Sequence, residues 1–255
     1  MSMRISLVAV FLLCSVSAFA QSSPPSQPRS SPDFLFGRPQ GSVGMRGGWM
    51  FARAGSDWYD FVTAPDQLTI DRHDFNAPGF AADVSIRLTR RADAVIGVEF
   101  AHKGIQSEYR QLVDNNRQPI EQTTELTQVD LTGSVKYALT ERGRQISNFA
   151  WVPNSLVPYV GAGGGMLRYH LNQSGDFVDT VDPIKPIFTD VLDTDGWTPA
   201  VHVFGGVEMR VLRRLYATFD VRYLWAAGDL KRPFEGFDAL DLAGLRTSAG
   251  VNLLF

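Results

Sequence analysis

Four histidines, His73, His102, His170 and His202, are the residues of this 255-residue chain best placed to exchange a proton near neutral pH. Hydrolytic chemistry would need a nucleophile and an orienting acid beside one of them. No local motif supplies that set. His102 and His170 fall near the ends of apolar, alternating stretches, where a Ser or Asp from a neighbouring segment could join them. His202 lies on the polar side of such a stretch, where hydrogen bonding is its expected role, and His73 sits in a connecting segment. No catalytic residue is assigned on these grounds.

Two further constellations carry charge. Between Leu171 and Gly196 stand Asp176, Asp179, Asp182, Asp190, Asp193 and Asp195 against Lys185, and Asp193-Thr194-Asp195-Gly196 matches the opening of a calcium-binding loop. The bidentate glutamate that should close such a loop is missing, so a solvated acidic segment is expected, with no metal and no cofactor. The second set is Asp83, Glu99, Asp130, Glu208 and Asp220 with Arg87, Lys136, Arg210, Arg222 and Arg246. These residues share the polar parity of successive segments. Opposite charges so arranged read as a salt-bridged plug in a narrow interior, the rival being an ion-conducting route.

The elements that must position these groups are strands of period two. Phe80, Ala82, Val84, Ile86 and Leu88 oppose Ala81, Asp83, Ser85, Arg87 and Thr89. Ala94 to Ala101, Val129 to Tyr137, Val201 to Arg210, Leu215 to Trp225 and Leu245 to Phe255 follow the same rule. Gly41 to Phe51 and Val157 to Tyr169 complete the set, with glycines diluting the pattern. Eight strands result. Arg90–Ala92 and Leu212–Arg214 are short turns, whereas about 27 residues separate Phe51 from Gly79, about 23 separate His102 from Glu125, and comparable lengths follow Tyr169 and Ala227. Short periplasmic turns and long extracellular loops alternate this way in transmembrane barrels. The connection from Thr140 to Leu156 breaks the rule, and either a small helix or an extended periplasmic loop would fit it.

The N-terminus reads as an export signal over residues 1–20: Arg4, the apolar run Ile5 to Val16, then Ala18-Phe19-Ala20. Cys14 is the only cysteine, and Leu13 stands where a lipoprotein signal needs a small residue, so lipidation is not expected. Residues 21–40 are rich in Ser and Pro and are expected to be a periplasmic linker outside the barrel. No helical membrane span follows. The formal charge of −3 gives no reason to expect nucleic acid as a partner. Mean hydropathy is near zero, as it must be when lipid-facing and lumenal residues alternate.

Alternation alone does not decide which face is outside, because a soluble lipocalin-type barrel also alternates. The aromatics Trp49, Phe51, Tyr137, Tyr223, Trp225 and Phe255 gather near strand ends, as girdles at a lipid boundary do. The last strand ends on Phe255 after Val251 and Leu253. This terminal pattern resembles the assembly signal of outer-membrane barrels. With Pro158 to Gly163 and the eight strands, residues 41–255 resemble the small outer-membrane β-barrel families typified by the OmpA and OmpW transmembrane domains. The fold expected is all-β, an eight-stranded antiparallel up-and-down transmembrane barrel. The resemblance implies a non-enzymatic structural or surface-interaction role through the extracellular loops, with outer-membrane lipids, lipopolysaccharide and the barrel-assembly machinery as partners and no named extracellular one. A narrow transport route for small or apolar solutes and an outer-membrane lipid hydrolase are its alternatives.

Overall fold

The computed structural model describes residues 34–255 except positions 115, 148 and 179–185. The expected signal peptide over residues 1–20, residues 21–33 of the expected linker, and Asp179, Asp182 and Lys185 lie outside the described residues. Eight long strands form the wall: β1 Gly41–Ala52, β2 Ala77–Arg87, β3 Ala92–Val113, β4 Pro119–Ala138, β5 Leu156–Val178, β6 Ile187–Arg210, β7 Leu215–Gly228 and β8 Gly244–Leu254. Each pairs antiparallel with its neighbour in sequence. β8 returns to β1 in register from Gly244 opposite Ala52 to Leu254 opposite Ser42. The ring is thereby closed and no barrel strand is left as a sheet edge in its lower half. Past Leu254 the seam continues: the Phe255 N–H donates to the Gly41 carbonyl, and its own carbonyl accepts from Gln40 N–H at 2.7 Å.

Parity settles which face is outside. Phe80, Val84, Ile96, Leu131, Val201, Phe219 and Val251 are exposed on the outer wall, while their chain neighbours Asp83, Asp130, Thr132, His202 and Asp220 are buried. A soluble barrel would show the reverse. An apolar outer band belongs in a bilayer, so the barrel is transmembrane. Trp49, Phe51 and Trp225 are exposed at one end of this band, Tyr137 and Phe255 at the other.

The wall is not of even height. β1, β2, β7 and β8 have 11 to 14 residues, whereas β3 to β6 have 20 to 24. The expected loops 103–124 and 171–196 are therefore mostly hairpin, a four-stranded extension rising from one side of the barrel. Their sequence hid this because the outer face of the extension meets water while several of its buried inward positions, Ser107, Gln122, Thr124 and Gln173, are polar as well. With no lipid outside, nothing selects apolar residues on the outer face, where Gln106, Glu108, Glu121, Thr123 and Ser174 stand.

Two true connections close that end. The β1–β2 connection contains the helix α1, Asp57–Val62, and a 3-10 turn, Arg72–Phe75, whose capping box joins Asp71 and Asp74. The β7–β8 connection contributes Phe234, Leu240 and Leu242. At the opposite end the connection from 139 to 155 is neither helix nor irregular loop. It folds as a hairpin, Gly143–Ser147 against Ala150–Pro153, and Leu35–Phe36 adds a third strand beside Trp151. Leu35 and Trp151 are buried together there. Residues 34–40 thus depart from the unpacked tether expected of 21–40: an apolar pair within the Pro-rich stretch finds a partner strand.

Candidate functional site

The inward positions of the eight strands converge on a lumen with three levels. Nearest Phe255, Lys136 Nζ lies 2.8 Å from Glu208 Oε1 and 3.8 Å from Asp93 Oδ2. Arg142 reaches in from the hairpin connection, 2.7 Å from Asp93 Oδ2 and 3.7 Å from Glu208 Oε2. Asn252 donates a further bond to Glu208 Oε1 at 3.2 Å. Two acids and two bases thus share one buried cluster.

In the middle level Arg246 bridges Glu99 at 3.1 Å and Asp130 at 3.3 Å, and also donates to Gln128 Oε1. Arg46 holds Asp83 at 3.1 Å. Arg222 lies 3.9 Å from Glu99 and 3.8 Å from Asp220, with its guanidinium over the Phe204 ring, and the Tyr159 hydroxyl donates to Asp220 at 3.0 Å. These side chains fill the space between them: the two cavities among them measure about 10 Å³ each, room for a single water. Eight strands enclose little more volume than their own side chains occupy.

The third level is apolar. Ile105, Leu126, Leu167, Leu171 and Leu224 end the lumen, and Trp58, Tyr59, Val62, Ile70 and Phe75 of the β1–β2 connection pack down on them with Phe234 and Leu240. Trp58, Tyr59 and Phe75 meet edge to face, with ring centroids 4.8 to 5.8 Å apart. Burial pushes the Tyr59 phenol well above its ordinary value, with Asp241 adding to the shift. The phenol therefore stays neutral when folded, and stability of this cap falls as pH rises above about 10, where the unfolded phenol ionises.

The structure brings together eight of the ten lumenal charges read from the sequence. Arg87 stands opposite Asp93 across the β2–β3 pair and within electrostatic reach of Asp93 and Glu208, with its guanidinium stacked on Trp151 at 5.3 Å. Arg210 ends β6 at the rim, where its N–H donates to the Ser155 carbonyl. Three partners were not anticipated. Arg46 sits in the glycine-diluted first strand, Asp93 opens its strand just before the alternation becomes clear, and Arg142 belongs to a connection that no pattern marked. Inward parity at positions 46 and 93 was the available signal.

The histidines do not converge. His102 Nδ1 lies 2.9 Å from Thr127 Oγ1, His170 bonds Asp193, and His73 lies beside Asp74. His202 Nε2 lies 2.9 Å from Ser134 Oγ, a serine-histidine contact, yet its Nδ1 has no hydrogen-bond partner and so lacks the orienting acid of a catalytic triad. The acids of the expected acidic loop are largely committed within β5 and β6: Asp176 to Thr189, Asp193 to His170 and Asn172, Asp195 to Arg168. Val251, Leu253 and Phe255 line up on the outer wall at the closing seam.

No family model and no curated protein matches this chain. Solved structures similar to it include Neisserial surface protein A, 12% identical over 84% of this chain and 96% of that one, with a TM-score of 0.46. The outer membrane protein OprG from Pseudomonas aeruginosa is 12% identical over 87% and 99%, with a TM-score of 0.46. Ail, the attachment invasion locus protein of Yersinia pestis, is 10% identical over 84% and 98%, with a TM-score of 0.40.

Proposed function

We propose that this protein is a non-enzymatic outer-membrane barrel with a sealed lumen, acting structurally or in surface interaction through the extension of β3 to β6. One observation carries the reading: paired charges occupy the lower and middle lumen, and an apolar cap closes the upper end. A transport route would need a continuous path, and cavities of about 10 Å³ do not supply one. Hydrolysis would need a nucleophile, a base and an orienting acid together: the Ser134–His202 contact lacks the acid, and the His170–Asp193 pair has no hydroxyl bonded to it among the described residues.

Planar-bilayer recording tests the seal. The folded protein should give no stable conductance steps, and steady ohmic steps from it would refute the sealed lumen. The terminal triplet Val251, Leu253 and Phe255 is assigned to recognition by the assembly machinery. Deleting Phe255 should lower the outer-membrane yield and leave protein in the periplasm, whereas unchanged yield would remove that assignment.

A further inference from the structure

Beside the hairpin at the Phe255 end of the barrel lies a pocket of about 360 Å³, lined chiefly by Arg38, Arg90, Arg142, Arg144, Glu141 and Trp151. Four guanidinium groups against one carboxylate on so small a wall concentrate positive potential that attracts an anion. A fifth, Arg87, stacks on Trp151. Some of this charge is already satisfied: Arg142 is paired with Asp93 and Glu208, and Arg38 donates to the Thr89 carbonyl at 2.8 Å. Arg90 and Arg144, by contrast, have no acidic partner among the described residues. Arg142 is 7% exposed, and its buried Nε–H has no acceptor.

We propose that this pocket binds the phosphate of an anionic phospholipid in the leaflet on that side of the membrane. Arg90 and Arg144 supply forked donors to phosphate oxygens, the geometry in which guanidinium exceeds ammonium. The segments that carry them also carry exposed apolar side chains, Leu88, Ile146 and Phe149. A lipid satisfies both features at once, its phosphate on the arginines and its acyl chains among these side chains; a soluble phosphate uses only the first. Glu141, on the same wall, opposes the anion and is outnumbered by the guanidinium groups around it.

The test is lipid retention by the folded protein, with heat-dependent gel mobility as the check on folding. Protein reconstituted in phosphatidylcholine vesicles doped with phosphatidylglycerol is extracted, and retained lipid is counted by native mass spectrometry. Parent protein should keep phosphatidylglycerol in preference to phosphatidylcholine, and Arg90→Gln/Arg144→Gln should weaken that retention about tenfold or more. Arg213→Gln/Arg214→Gln, at the other short turn, should leave it unchanged. Equal retention by the parent and the Arg90/Arg144 variant, or an equal loss in the control pair, overturns the site. A second arm titrates inorganic phosphate into lipid-free protein in detergent. Phosphate binding lost in the Arg90/Arg144 variant, without any preference for phosphatidylglycerol, would assign the pocket to a soluble anion and overturn the lipid.

Discussion

The lower and upper parts of the lumen solve the same packing problem with opposite chemistry. Below, Asp93, Lys136, Arg142 and Glu208 fill space with charges that tolerate burial only because each has a partner within 4 Å. Above, Trp58, Tyr59, Phe75 and Leu240 fill it with apolar surface that needs no particular partner. The ionic part depends on geometry and is built almost wholly from the wall strands. The apolar part depends on area and is built largely from two connections. Damage to one should spread through the barrel, and damage to the other should stay local.

The largest test of this contrast is Arg246→Ala, which strips Glu99 and Asp130 of their shared cation. It should destabilise the barrel by about 3 to 5 kcal/mol, read as a lower urea midpoint for loss of the folded gel band. An unchanged midpoint would show that the middle level is not a coupled network. Trp58→Ala comes next, with a loss of about 3 kcal/mol confined to the cap. Limited proteolysis should then cut within residues 53–76 while the barrel's own midpoint holds. A parallel fall in both would merge the two regions into one cooperative unit. The smallest effect is expected from Arg53→Ala. Arg53 lies 3.6 Å from Asp241 where the two connections leave the wall, but it is largely exposed, so its loss should shift cap stability by less than about 1 kcal/mol. A loss as large as that of Trp58→Ala would make the cap's anchoring ionic rather than apolar.

What could be read in advance follows the solvent. Wherever lipid lies on one side and a crowded lumen on the other, each position has only one acceptable polarity. Val84 beside Asp83 and Leu131 beside Asp130 announce both the strand and its faces. Gln106 and Thr123 face water, and their buried neighbours Ser107, Gln122 and Thr124 are polar too, so no contrast announces the strand and the tall hairpins read as loops. The cap was illegible for a different reason. Trp58, Tyr59, Ile70 and Phe75 are apolar without period, and only the closed ring beneath them shows what they cover. Arg142 needed two facts at once: that 140–156 folds as a hairpin, and that Asp93 and Glu208 lie below it.

The unequal strand lengths have a consequence in height. An 11-residue strand such as β2 covers about 36 Å along its axis, and at a tilt near 40° it rises about 28 Å, little more than the apolar thickness it must cross. The 24 residues of β6 cover about 80 Å and rise about 60 Å at the same tilt. One side of the molecule therefore stands roughly 30 Å clear of the hydrocarbon, like a mast stepped off-centre on a hull. An approaching surface would meet the crest of that mast before anything else among the described residues, and would meet it obliquely.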